Sequence, residues 1–153
     1  SLHDALPILQ GHAQVVETVL IPDERAQIEA ELVRLADSGK VDLIFTTGGT
    51  GFAPRDVTPE ATASVIERLA PGITEAMRAA SAKITPHAQL ARAIAGIRGR
   101  TLIINLPGSP KAAVENLQVF LPALPHAVET LRGEAYECGS REQGHVPHPT
   151  PQD

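Results

Sequence analysis

The spacing of hydrophobic positions along the chain changes repeatedly, and the changes predict alternating strands and helices. Residues 14–21 (QVVETVLI) are rich in β-branched side chains, which predicts a strand. Residues 23–40 carry apolar side chains four and seven positions after Ile28, which predicts an amphipathic helix that stops near Gly39. Residues 41–47 (VDLIFTT) form a nearly continuous apolar run, which is typical of a strand buried on both faces.

The middle of the chain continues as helices. Thr58 followed by Pro59 predicts a helix with Thr58 as its N-cap, and this helix is expected to reach about Leu69. Residues 72–83 predict a further helix, and residues 86–92 a short one that opens on a proline.

The last elements are a strand pair and a helical region. Residues 93–97 and 100–106 predict two strands around the turn Arg98-Gly99. Ser109-Pro110 predicts the start of a helical region that extends to about Leu131, with interruptions near two further prolines. Strands that alternate with helices indicate an α/β fold with a mostly parallel sheet covered on both faces.

Composition limits the class of protein. The 153 residues suffice for one domain, and 42% of them are hydrophobic, as in a globular protein. The net charge of −5 and the four aromatic residues argue against nucleic-acid binding, which needs a basic face or stacking rings. Cys138 is the single cysteine, so an intrachain disulfide is excluded. We see neither a membrane span nor a signal peptide, and we expect a cytoplasmic protein.

A glycine-rich loop, 46-TTGGTG-51, follows the second predicted strand. Such a loop can aim several backbone N–H groups at one point, which suits a phosphate group. It matches neither of two common phosphate motifs: Phe52 stands where a Walker loop needs lysine, and Pro54 stands where a dinucleotide fingerprint needs its third glycine. The loop therefore predicts a phosphate or polar-ring site of another kind.

A second loop, 105-NLPGSPK-111, leads into the predicted helix after Ser109. The N-terminus of a helix attracts anions through its free N–H groups and its dipole. Lys111 lies in the first turn, where a cation is unfavourable unless an anion binds there. A solvated lysine in a tight turn is an equally good interpretation, because this dipole effect is only about 0.3–1 kcal/mol.

Two aspartates lie near the same predicted rim of the sheet. Asp56 follows the glycine loop, and Asp23 follows the first predicted strand. Paired carboxylates beside a phosphate site suit Mg²⁺ binding or orientation of a nucleophile. The alternatives are a plain helix N-cap for Asp23 and an Asx turn for Asp56, and local sequence does not decide between them.

The stretches 46-TTGGTGFAPRDVTPEAT-62 and 103-IINLPGSPKAAVENL-117, with IPDE at 21–24, resemble the Mog/MoaB family of molybdenum-cofactor biosynthesis proteins. The resemblance covers about residues 10–135. It implies a three-layer α/β/α fold, usually trimeric, and catalysis as an ATP:molybdopterin adenylyltransferase. In that reaction the terminal phosphate of molybdopterin attacks the α-phosphorus of ATP, pyrophosphate leaves, and Mg²⁺ assists. It also implies a partner protein that inserts molybdenum.

The resemblance assigns roles to particular residues. The family's two essential acids match Asp23 and Asp56, which would be catalytic and would hold Mg²⁺. Its substrate contacts in the glycine loop match Thr47, Gly48, Gly49, Thr50 and Gly51. Its second substrate loop matches Asn105, Pro107, Gly108, Ser109 and Lys111.

The chain departs from the family at its start. Residues 1–9 do not resemble the family's opening strand, so we expect an irregular or non-native start, a domain over 10–136, and a sheet without its first strand. Residues 137–153 are rich in Pro, Gly, His and Gln and predict a disordered tail. The alternatives to a working adenylyltransferase are a non-catalytic pterin- or nucleotide-binding paralogue, an inactive fragment, or a domain of a larger fusion.

Overall fold

The computed structural model describes residues 6–134, and within this range helices and strands alternate. The helices are α1 (Leu6–Leu9), α2 (Arg25–Asp37), α3 (Thr58–Val65), α4 (Pro71–Ala82), α5 (Pro110–Phe120) and α6 (Leu124–Leu131). The strands are β1 (Leu43–Thr47), β2 (Arg68–Leu69), β3 (Ala95–Arg98) and β4 (Thr101–Leu106). Short 3₁₀ helices span Pro86–Leu90 and Leu121–Ala123. The predicted α/β fold is thereby confirmed, with most helices within a few residues of their expected positions.

The sheet is mixed, so the expectation of a mostly parallel sheet is wrong. The strand order is β1-β4-β3-β2, in which β1 runs parallel to β4 and the other two pairings are antiparallel. The physical reason is the tight turn at Gly99, which has a φ of +58° and folds β3 directly back on β4. A two-residue hairpin of this kind can join only antiparallel strands.

Helices cover both faces of the sheet and make three layers. Alternate residues of β4 point to opposite faces, as the pleat of a strand requires. Leu102, Ile104 and Leu106 pack with α4, α5 and α6 in one hydrophobic cluster, and Ile103 packs with α2 and α3 in the other. All six β4 residues are buried, so this strand is the centre of the core and fixes the positions of the loops that follow β1 and β4.

Residues 14–21 do not form the predicted strand. They run outside the four-stranded sheet, and Arg34 on α2 holds them by donating from Nη2 to Oε1 of Glu17 at 2.6 Å. The segment and β1 both line a cavity of about 850 Å³. Within the described residues, β1 is therefore an edge strand whose only strand partner is β4.

Two helix boundaries differ from the predicted ones. The N-cap of α3 is Val57 rather than Thr58, and Thr58 is buried in the first turn without a side-chain cap bond. The helix ends at Val65 rather than near Leu69, because residues 68 and 69 pair with β3 as β2. A strand this short depends on its tertiary partner, so local propensity does not reveal it.

The two ends of the domain bear on the expected boundaries in different ways. Leu6–Leu9 form a single helical turn, and Leu9 packs into the core beside α5 and α6, while the irregular or non-native start at residues 1–9 stays a prediction. The predicted tail, 137–153, lies outside the described residues, and the domain limits of 10–136 stay a prediction. None of the helices within residues 6–134 has both the length and the apolar character to cross a membrane.

Candidate functional site

The two predicted substrate loops meet, because they follow neighbouring parallel strands. Gly48 N donates to Leu106 O at 3.1 Å, which continues the β1–β4 pairing into the loops. A Cβ on Gly108 would lie 3.1 Å from the Cα of Gly48, so the two backbones touch. The site is thus built on the carboxyl ends of two paired strands, where open α/β sheets bind ligands.

The glycine loop is anchored on the start of α3. Gly48 and Gly49 both have positive φ, at +88° and +68°, a conformation that glycine adopts without strain. Gly49 O accepts a hydrogen bond from Thr58 N at 3.2 Å. A Cβ on Gly49 would overlap the Thr58 hydroxyl and lie 3.2 Å from the Thr58 Cβ. Glycine is required at this position for both reasons.

Asp56 closes the loop on itself. Its Oδ2 accepts a hydrogen bond from Ala53 N at 2.9 Å, and its N–H donates to Ala53 O at 2.9 Å. The same Oδ2 lies 2.9 Å from the point that a Cβ on Gly51 would occupy. An Asx turn would need the N–H two residues on, that of Thr58, but Thr58 N donates to Gly49 O, so the Asx turn is not formed. The bond from Ala53 N uses one carboxylate oxygen, and the carboxylate lies against the glycine loop.

Asp23 approaches the same loop from another direction. The N-cap of α2 is Glu24, so Asp23 is not the plain N-cap that its position before the helix suggested. Its Oδ1 lies 3.7 Å from the point where a Cβ on Gly49 would sit. The two candidate acids therefore flank the glycine loop, one beside Gly49 and the other beside Gly51.

A cavity of about 470 Å³ lies over the glycine loop. It is lined by Gly48, Gly49, Thr50, Gly51, Phe52, Asp56, His87, Leu90, Ala91 and Gly108. Six of these were predicted site residues, whereas His87, Leu90 and Ala91 come from the 3₁₀ helix and its end, which sequence reasoning left without a role. Phe52 and Leu90 are exposed at 67% and 47%, so the site offers apolar surface beside its polar backbone.

The remaining predicted residues lie around this cavity rather than in its wall. Thr47 and Asp23 line the larger cavity beside β1. Ser109 is the N-cap of α5, as predicted, with Pro110 at the first helical position, and it makes no side-chain cap bond. Lys111 has a side chain that is 82% exposed and forms a 3.9 Å ion pair with Glu115. Pro107 is partly buried in the loop between β4 and α5.

The Asn105 side chain forms hydrogen bonds to the elements around the two loops. Its side chain is fully buried, and its amide nitrogen donates to the hydroxyls of Thr46 and Thr62 at 2.9 and 3.0 Å. Its amide oxygen accepts from Ile94 N at 3.1 Å. These bonds join β1, α3 and the segment before β3 at the end of β4. These bonds hold the elements around the loops together, and a contact of Asn105 with substrate stays a prediction.

Replacement of Asn105 by Ala is expected to lower the free energy of unfolding by about 2–3 kcal/mol, since it removes three hydrogen bonds, one to the buried Thr62 and two to the partly buried Thr46 and Ile94. Denaturant titration measures the change. Asn116→Ala is the matched control, because Asn116 is also buried but accepts only one bond, from Ser81, and should cost about 1 kcal/mol. Unchanged stability with weakened substrate binding would instead make Asn105 a direct ligand contact.

Arg92, which the sequence did not single out, is bonded to the glycine loop at several points. Its guanidinium donates to Gly51 O at 2.8 Å and to Asp56 O at 2.6 Å, and it forms an ion pair with Glu60 on α3. The hydrogen bond from the Arg92 guanidinium to Glu60 lowers the pKa of the Glu60 carboxyl below its ordinary value. The only sequence signal is an arginine after a short proline-initiated helix, which points to no partner.

These features define a class: a three-layer α/β protein with two glycine loops and two carboxylates at the ends of paired strands, an arrangement suited to phosphate-containing ligands. Comparison with known proteins identifies the family. The family model described as "Probable molybdopterin binding domain" matches residues 7–126, and the chain belongs to that family, as the motifs predicted.

The similar proteins include molybdopterin adenylyltransferases and a molybdopterin biosynthesis enzyme. A molybdopterin adenylyltransferase of Helicobacter pylori is 48% identical over 122 residues, which cover 80% of this chain and 69% of that protein. The molybdopterin adenylyltransferase of Escherichia coli K12 is 50% identical over 134 residues, with the same coverage of 80% and 69%. The crystal structure of the molybdopterin biosynthesis enzyme MoaB from Thermus thermophilus superimposes with a TM-score of 0.81 at 48% identity, covering 86% of this chain and 83% of that one.

Proposed function

We propose that this chain is a molybdopterin adenylyltransferase that acts in molybdenum-cofactor biosynthesis. An oxygen of the terminal phosphate of molybdopterin attacks the α-phosphorus of ATP. The bond from that phosphorus to the bridging oxygen breaks, pyrophosphate leaves, and adenylylated molybdopterin is formed. The chain is therefore a nucleotidyltransferase with ATP and molybdopterin as substrates.

The observation that carries the proposal is the backbone contact between Gly48 and Gly108, which brings together the two loops predicted to bind anions. A transfer between two phosphate-containing substrates needs such a double site, because both phosphates must come within reach of each other. The names of the relatives support catalysis over the alternative of a non-catalytic binding protein.

The loops supply positioning and electrostatic stabilisation. Backbone N–H groups of residues 49–51 and of the first turn of α5 are the proposed donors to phosphate oxygens, since the Gly48 N–H is already bonded to Leu106 O. These groups are fixed before substrate binds, so they stabilise charge that develops on the oxygens without reorganisation. Asp56 and Asp23 flank the same loop, where they can orient the attacking phosphate and the cation that accompanies ATP.

The donor groups fit Mg²⁺ shared with a substrate. Within residues 6–134, His, Cys, Asp and Glu side chains form no group of three or more that could hold a metal ion, so a complete protein cage is not present there. Mg²⁺ commonly uses only one or two carboxylates together with substrate phosphates and water. Asp23 and Asp56 would hold it, and when bound it neutralises the charge of the phosphates and of departing pyrophosphate.

Assembly and location are inferred from the family resemblance alone. We propose a homotrimer in the cytoplasm that passes its product to a molybdenum-inserting partner protein. Size-exclusion chromatography with light scattering tests the trimer, with a mass near three times 16.2 kDa as the expected result. A monomeric mass would overturn that part of the proposal without affecting the chemistry.

A single-turnover assay tests the function. The purified chain is mixed with molybdopterin, Mg²⁺ and ATP, and both pyrophosphate and adenylylated molybdopterin are measured. Equal yields of the two products are expected, whereas ATP without molybdopterin should give neither. If a folded sample binds molybdopterin but releases no pyrophosphate, the non-catalytic alternative replaces the proposal.

A further inference from the structure

Arg92 lies outside both glycine loops, yet it makes four bonds to the segment from Thr50 to Glu60. Its backbone N–H donates to Thr50 O at 2.9 Å. Its guanidinium donates from Nε to Gly51 O, from Nη2 to Asp56 O, and from Nη1 to Glu60 Oε1. A planar guanidinium can serve three acceptors at once because its donors point in fixed directions.

The loop that Arg92 holds has little packing of its own. Phe52, Ala53, Pro54 and Arg55 are all exposed, so hydrophobic contacts do not fix their backbone. Segments of this kind open easily unless polar contacts restrain them. The bond from Ala53 N to the Asp56 carboxylate closes the loop locally, and the Arg92 guanidinium bonds to the carbonyls of Gly51 and Asp56, which lie at the two ends of the exposed segment 52–55.

The ion pair with Glu60 fixes the position of the Arg92 guanidinium. Glu60 sits in the first turn of α3, and its Oε1 accepts from Arg92. Within residues 6–134, the other oxygen, Oε2, is buried and has no hydrogen-bond partner. Glu60 therefore holds the guanidinium in place between α3 and the loop, and loss of Arg92 would remove the side-chain hydrogen bond that does most to lower the pKa of this carboxyl.

We propose that Arg92 is a positioning residue, which acts on the reaction through Asp56 by fixing the backbone on either side of the Asp56 carboxylate. This inference rests on the proposed function for its kinetic consequence. The structural part of the inference does not depend on the proposed function, because the restraint on residues 51–56 exists in the protein without substrate.

Arg92→Lys is the sharpest test, because lysine keeps the charge but cannot bridge three acceptors. We expect kcat to fall by about 10- to 100-fold, as for a displacement of roughly 1 Å of a reacting group, with little change in KM. Arg98→Lys is the matched control: Arg98 likewise joins a carboxylate, Asp37, to a backbone carbonyl, that of Val65, but away from this loop. It should leave kcat unchanged.

A double variant that combines Arg92→Lys with Asp56→Asn separates an effect through Asp56 from a general loss of activity. If Arg92 acts through Asp56, Arg92→Lys should have little further effect once Asp56 is replaced. Multiplied effects in the double variant, or an unchanged kcat in Arg92→Lys, would overturn the proposal.

Hydrogen exchange of the substrate-free protein gives a readout that is independent of activity. The backbone N–H groups of residues 51–53 and 55–56 should exchange faster in Arg92→Lys than in the wild type, while those of β4 stay protected. Faster exchange in Arg92→Lys, together with a wild-type protein that proves inactive, would retain the restraint and reject the proposed function. Unchanged exchange in Arg92→Lys would reject the role of Arg92, whether or not the wild type is active.

Discussion

Asp56→Asn is expected to lower kcat for adenylyl transfer by about 100- to 10,000-fold, the range typical of losing an essential acid–base or charged group. The variant keeps the shape of the side chain and an amide oxygen that can still accept from Ala53 N, so the loop should stay closed. Single-turnover measurement of pyrophosphate gives the rate. Molybdopterin binding should change little, because the substitution removes charge without removing a loop contact.

Two further variants isolate the charge. Asp56→Ala removes both the charge and the bond to Ala53 N, so it should also open the loop and weaken substrate binding. Asp42→Asn removes an exposed aspartate that pairs with Arg132 elsewhere, and it should leave kcat within about twofold. A rate for Asp56→Asn that equals the wild-type rate would show that the carboxylate serves only the loop.

Gly49→Ala is expected to lower the free energy of unfolding by about 2–5 kcal/mol and to abolish activity. Alanine at a φ of +68° costs roughly 1–2 kcal/mol in backbone strain, and its Cβ would overlap the buried Thr58 hydroxyl, which adds about 1–3 kcal/mol. The strain can relax only by moving the loop or the start of α3, and either movement displaces the anion-binding N–H groups. Denaturant titration and the pyrophosphate assay measure the two effects.

The chain contains a close control for this prediction. Gly39 has a φ of +69°, and a Cβ there would meet nothing within 4 Å, so Gly39→Ala carries the backbone strain without the overlap. The difference between the two variants is therefore the steric cost at Thr58. Adding Thr58→Ala to Gly49→Ala should recover part of that difference. Equal destabilisation by both glycine replacements would show that the contact with Thr58 is unimportant.

Local patterns predicted most elements but not the direction of the sheet. The helical spacing from Ile28 and the Ser109-Pro110 start gave α2 and α5 within a few residues, because capping and periodicity are local properties. The sequence also predicted the strand pair at 93–106. The prediction of a mostly parallel sheet did not take account of the antiparallel pairing of these two strands. Residues 14–21 have the composition of a strand, but a strand needs a bonded neighbour, which composition cannot supply.

At the site, backbone motifs were predictable and tertiary partners were not. Glycines at 48, 49, 51 and 108 mark close approaches of the main chain, and the structure brings them into one place. The sequence does not point to Arg92, because two of its three guanidinium acceptors are backbone carbonyls, which every residue possesses. All three acceptors lie 32–41 positions away along the chain. The family resemblance predicts a substrate contact for Asn105, whereas its hydrogen bonds to Thr46 and Thr62 depend on β1 and α3, which sequence alone does not place beside it.

The contact between Gly48 and Gly108 has a consequence for redesign. The spacing of the two loops comes from the hydrogen-bonded pairing of β1 with β4, which holds neighbouring strands at about 4.8 Å. Phe52 and His87 line the cavity without taking part in this strand pairing, so substitutions there leave the spacing of the two loops in place. A side chain at Gly108, by contrast, places its Cβ 3.1 Å from the Cα of Gly48, and the two loops must then move apart by a few tenths of an ångström.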